Sequence, residues 1–225
     1  GSTAQTGGTW SPALASGTGI FNPVIDLSGS YIYTVTGNPL CPPAQVTVQI
    51  TVNPIPNAGN DVANYNVCSN QNSIDLFTLL GSNAQTGGTW SPALASGTGV
   101  LNPAVDISAT YTYTVVGIAP CVDDFATVEV IITQGPEAGN NNSITVCQNS
   151  PTQDLFLALG SNAQLGGTWS PVLSSGTGVF NPALDLAGDY TYSLSGTDPC
   201  DNDEATITVI VNPVPFASII ASDTF

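Results

Sequence analysis

One block of wording recurs almost verbatim along the chain. Residues 1–23 read GSTAQTGGTWSPALASGTGIFNP, residues 81–103 read GSNAQTGGTWSPALASGTGVLNP, and residues 160–182 read GSNAQLGGTWSPVLSSGTGVFNP. The markers keep step: Trp10, Trp90 and Trp169; Tyr31, Tyr111 and Tyr190; Cys41, Cys121 and Cys200. From Trp10 to Trp90 the period is 80 residues, and from Trp90 to Trp169 it is 79. Self-similarity at a fixed period marks an array of one structural unit used repeatedly, so the whole chain is constrained to whatever a segment of that length can fold into. The chain enters and leaves the pattern inside a repeat, since Gly1-Ser2 is in phase with Gly81-Ser82 and 212–225 matches 53–66. We therefore expect a piece of a longer array, divided as 1–53, 54–135, 136–213 and the start of a further unit at 214–225.

The unit reads as β structure. After each FNP or LNP comes a tyrosine-rich strand: SYIYTV (30–35), TYTYTV (110–115) and DYTYSL (189–194). Alternation puts Tyr111, Tyr113 and Val115 on one face. A longer strand follows the next cysteine, with Ala126, Val128, Val130 and Ile132 facing inward. Val46, Val48, Ile50 and Val52 repeat this pattern in the first unit, and Ala205, Ile207, Val209 and Val211 in the third. The segments 64–68, 73–80 and 87–92 supply the earlier strands, although IDLFTLL (74–80) suits a helical turn equally well. Gly and Pro punctuate the rest. The expected fold class is all-β: tandem Ig-like antiparallel β-sandwich domains in a linear array. The Pro-x-Pro-x-Ala-Gly stretch at 54–59 and its counterpart at 135–139 read as stiff linkers.

Composition removes whole classes of function. The chain has no Lys, Arg or His against 16 carboxylates, a net charge of −16. Without cations it cannot neutralise phosphate, so nucleic acid is excluded as a partner, as is attachment to anionic lipid by a basic patch. Without imidazole or amine there is no Ser-His or Ser-Lys nucleophile and no lysine isopeptide cross-link. Asp26, Asp106 and Asp185 recur singly, with no partner for acid/base work on glycosides. No catalytic residue is assigned, and an enzyme is not expected. No apolar run is long enough to span a membrane.

The five cysteines stand at repeat-locked positions, which points to an oxidising compartment. The period suggests pairing within a unit: Cys68 with Cys121 and Cys147 with Cys200, leaving Cys41 with a partner outside the chain. Five free thiols and a metal site are the alternatives, the latter without any CxxC pair or His to support it.

Two further groups invite a functional reading beside a plain one. Trp10, Trp90 and Trp169 are candidates for a sugar platform. At constant phase, and with Tyr31, Tyr111 and Tyr190, they read first as core residues of a thin sandwich. Asp61, Asp123, Asp124, Asp201, Asp203 and Glu204 are weak calcium candidates, and plain surface acidity is the simpler reading. No other cofactor is expected. Asn141-Asn142-Ser143 is a formal glycosylation sequon.

The segment DLSGSY (26–31) resembles the approach to the tyrosine corner of the immunoglobulin superfamily, and a single Trp between two Cys is also Ig-like. The cysteine falls several residues later than in that superfamily, so a bridge should tie a loop to an early strand. The full wording, GGTWSPALASGTG through YTYTV, PC and ATVEV to the Ala-Gly linker, resembles repeat arrays in giant cell-surface adhesins of Bacteroidetes. These include gliding-motility-associated proteins exported by type IX secretion. That resemblance implies secretion, surface display and a structural stalk that extends a binding or motility element from the cell. Partners would be neighbouring repeats, the secretion or motility machinery, surface glycans, or identical chains in a filament.

Overall fold

The computed structural model describes residues 4–216. Most of the expected further unit at 214–225 lies outside the described residues. Every regular element but two short helical turns is a strand. The chain forms two compact units. One runs to Ala58 and takes in Gln85–Gly88 and Thr114–Phe125; the other takes Gly59–Ala84, Thr89–Tyr113 and the chain from Ala126 on.

The first unit is built on one antiparallel sheet of β1 (Thr9–Ser11), β2 (Gly29–Val35) and β3 (Ala44–Ile50), in that order. Trp10 stands opposite Tyr33, and Tyr31 opposite Val48.

The chain after Ala58 holds the same sheet twice, each time extended by one more strand. Its chain order is β4 (Val62–Cys68), β5 (Ile74–Asp75), a 3-10 turn (Leu76–Leu80), β6 (Thr89–Ser91), β7 (Val100–Leu101), β8 (Ala109–Val115) and β9 (Asp124–Thr133). The pattern then repeats as β10 (Asn142–Cys147), β11 (Gln153–Asp154), α1 (Leu155–Ala158), β12 (Thr168–Ser170), β13 (Val179–Phe180), β14 (Gly188–Leu194) and β15 (Asp203–Asn212). The two four-stranded sheets run β4-β9-β8-β6 and β10-β15-β14-β12, and β5-β7 and β11-β13 form short ribbons.

In each copy the ribbon and helical turn form the second layer. The third repeat's core shows how it closes: Tyr190, Tyr192, Ala205, Ile207 and Val209 from the sheet meet Leu155, Leu159 and Phe180 from the other layer. IDLFTLL is split between the two readings. Asp75 and Asp154 end a two-residue strand and then cap a helical turn, accepting from the N–H of Phe77 and Phe156 at 3.0 and 2.9 Å. Leu76 and Leu80, or Leu155 and Leu159, stand one turn apart on the inner face and are fully buried.

One feature differs from the expected all-antiparallel sandwich. β4 runs parallel to β9, with Cys68 beside Thr133, and β10 runs parallel to β15, with Cys147 beside Asn212. That direction overturns the expected cysteine pairing. Cys121 precedes the start of β9, whereas Cys68 sits at its far end. Ten residues of strand cover about 30 Å, far beyond disulfide reach. Cys147 and Cys200 are separated in the same way by β15. The bridge observed is Cys68–Cys200, with Cα atoms 5.0 Å apart, and Cys41, Cys121 and Cys147 are free thiols.

Candidate functional site: the joint and the tryptophan groove

The sequence places a linker wherever a long strand ends, and the structure shows how each linker is held. After β9, the N–H of Gly135 donates to Ser69 Oγ at 3.0 Å and the N–H of Ala138 donates to Asp203 Oδ2 at 2.7 Å. Gln164 and Glu137 clasp each other, the N–H of Gln164 donating to Glu137 O at 2.8 Å and the N–H of Glu137 to Gln164 Oε1 at 3.4 Å. Gly139 then turns the chain with φ +97, and a Cβ there would lie 2.6 Å from Leu159 O, so no other residue fits. The Cys68–Cys200 bridge closes the same joint, with Cys200 Sγ 3.4 Å from Thr133 O. A bridged sulfur has no proton to donate, so that approach is a packing contact.

The first unit holds a second joint of the same design. Ala58 N–H donates to Asp124 Oδ2 at 2.8 Å, Gln85 N–H donates to Asn57 O at 2.8 Å, and Asn57 N–H donates to Gln85 Oε1 at 3.2 Å. Asn53 Nδ2 adds bonds to the carbonyls of Ile118 and Ala119 at 3.3 and 2.8 Å. Here the loop cysteine, Cys121, is a thiol resting 3.7 Å from Asn53 O. Ala58 and Ala138 are both fully buried.

The six acidic candidates are spread over separate tasks. Asp124 and Asp203 hold the linker amides, and Asp123 accepts from Gly117 N–H at 2.9 Å. Asp61 accepts from both the N–H and the hydroxyl of Thr127, at 2.7 and 2.9 Å, and these bonds hold its carboxyl below the usual range. Glu204 accepts from Ser193 Oγ at 3.1 Å, and Asp201 is exposed. Asn141 makes the Asp61 bond to Thr206, and Asn202 makes the Asp123 bond to Gly196. A neutral amide oxygen thus serves where the other repeat has a carboxylate, so these positions need an acceptor and not a charge. Among the described residues no three acidic or cysteine side chains gather as a metal site would require.

The tryptophans are half-buried, and the three corner tyrosines are buried. Trp10, Trp90 and Trp169 lie with their ring centroids 5.1 Å from Tyr33, Tyr113 and Tyr192. Gly99 and Gly178 close the indole edge: a Cβ there would lie 2.4 and 2.5 Å from the Trp Nε1 atoms. Tyr192 hydroxyl accepts from Gly167 N–H and donates to Gln164 O, each at 2.8 Å, so it ties the groove wall to the residue that clasps the linker. The groove at Trp169 has a volume of about 460 Å³ and is lined by Gly166, Thr168, Val172, Gly176 and Thr177 among others.

Two residues before each of these tyrosines, on the same strand, stands the tyrosine of the corner. The hydroxyls of Tyr31, Tyr111 and Tyr190 donate to the carbonyls of Leu27, Ile107 and Leu186 at 2.7, 2.8 and 2.8 Å. Burial raises the Tyr111 and Tyr190 phenols, the neighbouring Asp106 and Asp185 charges add to that, and the hydrogen bonds oppose it. Each of those carboxylates pins two loops. Asp185 accepts from Ser174 N–H and Asn181 N–H, both at 2.7 Å. Burial alone would raise its carboxyl, but those N–H groups and the Ser174 hydroxyl hold it below the usual range.

The sequence reading missed the linker clasp. Its signal was present: Asp124 and Asp203 share one phase, as do Gln85 and Gln164.

No family model matches the chain, and no curated protein matches it. Three sets of solved domains are similar. An I-band fragment of titin is 10% identical with a TM-score of 0.34, covering 82% of this chain and 75% of its own. Immunoglobulin domains 1–5 of Sidekick-1 are 12% identical with a TM-score of 0.28, covering 83% and 46%. Extracellular domains 3–5 of Drosophila OTK are 12% identical with a TM-score of 0.26, covering 82% and 71%. The chain's own geometry, a tyrosine corner in each repeat and a sheet faced by a ribbon and helical turn in the two repeats with both layers, makes it a tandem array of Ig-like β-sandwich repeats.

Proposed function

We propose that this chain is a run of spacer domains in a secreted cell-surface protein, a stalk whose task is reach. The observation that carries the reading is the joint. The buried linker amides of Ala58 and Ala138 are each held by an aspartate of the repeat that the linker opens, and the second joint is also bridged from one repeat to the next by Cys68–Cys200. A chain of independent binding modules has no need to fix its linkers, whereas a spacer does. We place the repeat boundaries at residues 54, 136 and 214. The disulfide supports an extracellular setting. No helix among the described residues is long and apolar enough to cross a membrane. Within that class, the wording of the repeat favours a surface adhesin of the Bacteroidetes type, with type IX export and gliding motility as the setting.

A second reading has its own observation, the half-buried Trp169 in a groove of sugar-sized volume. A glycan array probed with the intact chain, with and without calcium, separates the two. The spacer reading expects no saturable binding in either condition, and Trp169→Ala should then lower thermal stability by removing the ring packed on Tyr192. Tight binding that Trp169→Ala weakens without loss of stability would sink the spacer reading.

A further inference from the structure

The loop that leads into the last long strand turns apolar in the second repeat. There Val116, Ile118, Val122 and Phe125 are between 62% and 81% exposed. Their counterparts are Thr36, Asn38, Pro42 and Gln45 in the first repeat, and Ser195, Thr197, Asp201 and Glu204 in the third. The exposure belongs to these positions themselves, since the four third-repeat side chains are exposed as well although a complete repeat precedes them. Single exposed apolar residues are ordinary; four on one loop, where the other repeats are mostly polar, mark a surface for contact.

The loop closes on itself. A Cβ on Gly117 would lie 2.5 Å from Val122 O and 2.6 Å from Cys121 O, and Gly117 N–H donates to Asp123 Oδ1 at 2.9 Å. Val116 and Ile118, on either side of that glycine, are therefore held beside the segment of Val122, and Phe125 follows in β9. Asp123 is exposed among them. Its charge is surplus to the fold, because Asn202 makes the same bond to Gly196 with a neutral amide. The backbone of this loop is already part of an interface, as Asn53 Nδ2 donates to the carbonyls of Ile118 and Ala119.

We propose that this loop docks a segment of a different protein, one that presents an arginine or lysine among apolar side chains. The cation pairs with Asp123, and the apolar contacts around it exclude water and so strengthen the pair. The complement cannot come from this chain, which has no Lys, Arg or His. A second copy would set carboxylate against carboxylate, each chain carrying a net charge of −16. A sugar would meet a single ring, that of Phe125, and no hydroxyl or amide side chain anywhere in 116–125. The proposal goes beyond the spacer reading by giving one repeat of the stalk a partner.

The test uses the whole chain with Cys68–Cys200 intact and short fluorescent peptides of leucine, alanine and serine whose central residue is arginine, glutamine or glutamate. Anisotropy should show saturable binding of the arginine peptide, about tenfold tighter than the glutamine peptide. Asp123→Asn keeps the acceptor that the turn uses and should erase that preference. The combined change Val116→Ser, Ile118→Thr, Val122→Asp and Phe125→Glu installs the third-repeat residues and should abolish binding with thermal unfolding unchanged. Because that variant is more acidic, binding that stays equal or tightens would mean charge attraction alone and would overturn the proposal. The reciprocal graft, Ser195→Val, Thr197→Ile, Asp201→Val, Asn202→Asp and Glu204→Phe, should raise the stoichiometry from one peptide to two. A stoichiometry that stays at one, no binding of the arginine peptide, equal binding of all three peptides, attachment to phosphatidylcholine vesicles, or self-association that the four substitutions dissolve would each overturn it too. None of those results touches the spacer reading, which the glycan array decides separately.

Discussion

The first and third repeats carry the same long strand, yet its inner face meets different fates. Val46 and Val48 are 54% and 39% exposed, whereas their counterparts Ala205 and Ile207 are 1% and 0% exposed. The Tyr31 and Tyr190 corners do not differ: both are 4% exposed, and both donate to the carbonyl four residues upstream. Nor does the Trp–Tyr pair, with ring centroids 5.1 Å apart in each. The corner and the aromatic pair are local, made within one stretch of the repeat. The core needs the segment before that stretch, which brings the parallel strand and the buried leucines of the helical turn. Among its described residues the first repeat has no counterpart of that segment. A repeat thus has a self-contained half and a half that depends on a second layer.

Four substitutions test that division. The largest effect is expected for Cys200→Ser. It opens a loop with a sequence separation of 132 and should cost the second unit about 3–5 kcal/mol, read by segment-resolved hydrogen exchange. The first repeat should be unmoved; equal loss of protection at Tyr31 and Tyr190 would break the comparison. Next come Val128→Ala and Val48→Ala, the same substitution at equivalent positions. Val128 is fully buried, so its loss should cost about 2–3 kcal/mol. Val48→Ala should cost under about 1 kcal/mol, because much of that side chain already meets water. Equal costs in urea unfolding would mean that the first repeat is covered after all. The smallest effect concerns Asp185, whose folded carboxyl lies below its unfolded value. Its contribution is fully present above the unfolded pKa and is lost as pH falls through the folded one. Asp185→Asn should therefore flatten the acid side of the stability profile, by under about 1 kcal/mol after solvent screening. An unchanged acid limb would remove the carboxylate from the local half.

Much of this was legible in residue order. The alternation of Tyr111, Tyr113, Val128 and Val130 marks inward faces, and all four are buried. The direction of the first strand was not legible. Whether β4 lies parallel or antiparallel to β9 is a choice between distant segments, and no alternation within either strand records it. That single choice reverses which cysteines meet, which is why an equally periodic pairing within the repeat was the expectation. The acidic residues misled for a different reason. Asp61 and Asp123 look like ligands by composition, and only the amide-bearing counterparts Asn141 and Asn202, making the same bonds, show that an oxygen is what the turn requires.

The bridge across the joint has a consequence for a chain under tension. Cys68 lies near the start of one repeat and Cys200 near the end of the next stretch of chain, so residues 69–199 form a closed covalent loop. A load applied at the two termini passes from Cys68 through sulfur to Cys200 and never enters that loop. Even if every hydrogen bond inside failed, about 450 Å of extended chain would stay out of the load path while the bond holds. While the bond holds, covalent wiring keeps that length from being drawn out, and a reductant would return residues 69–199 to the load path.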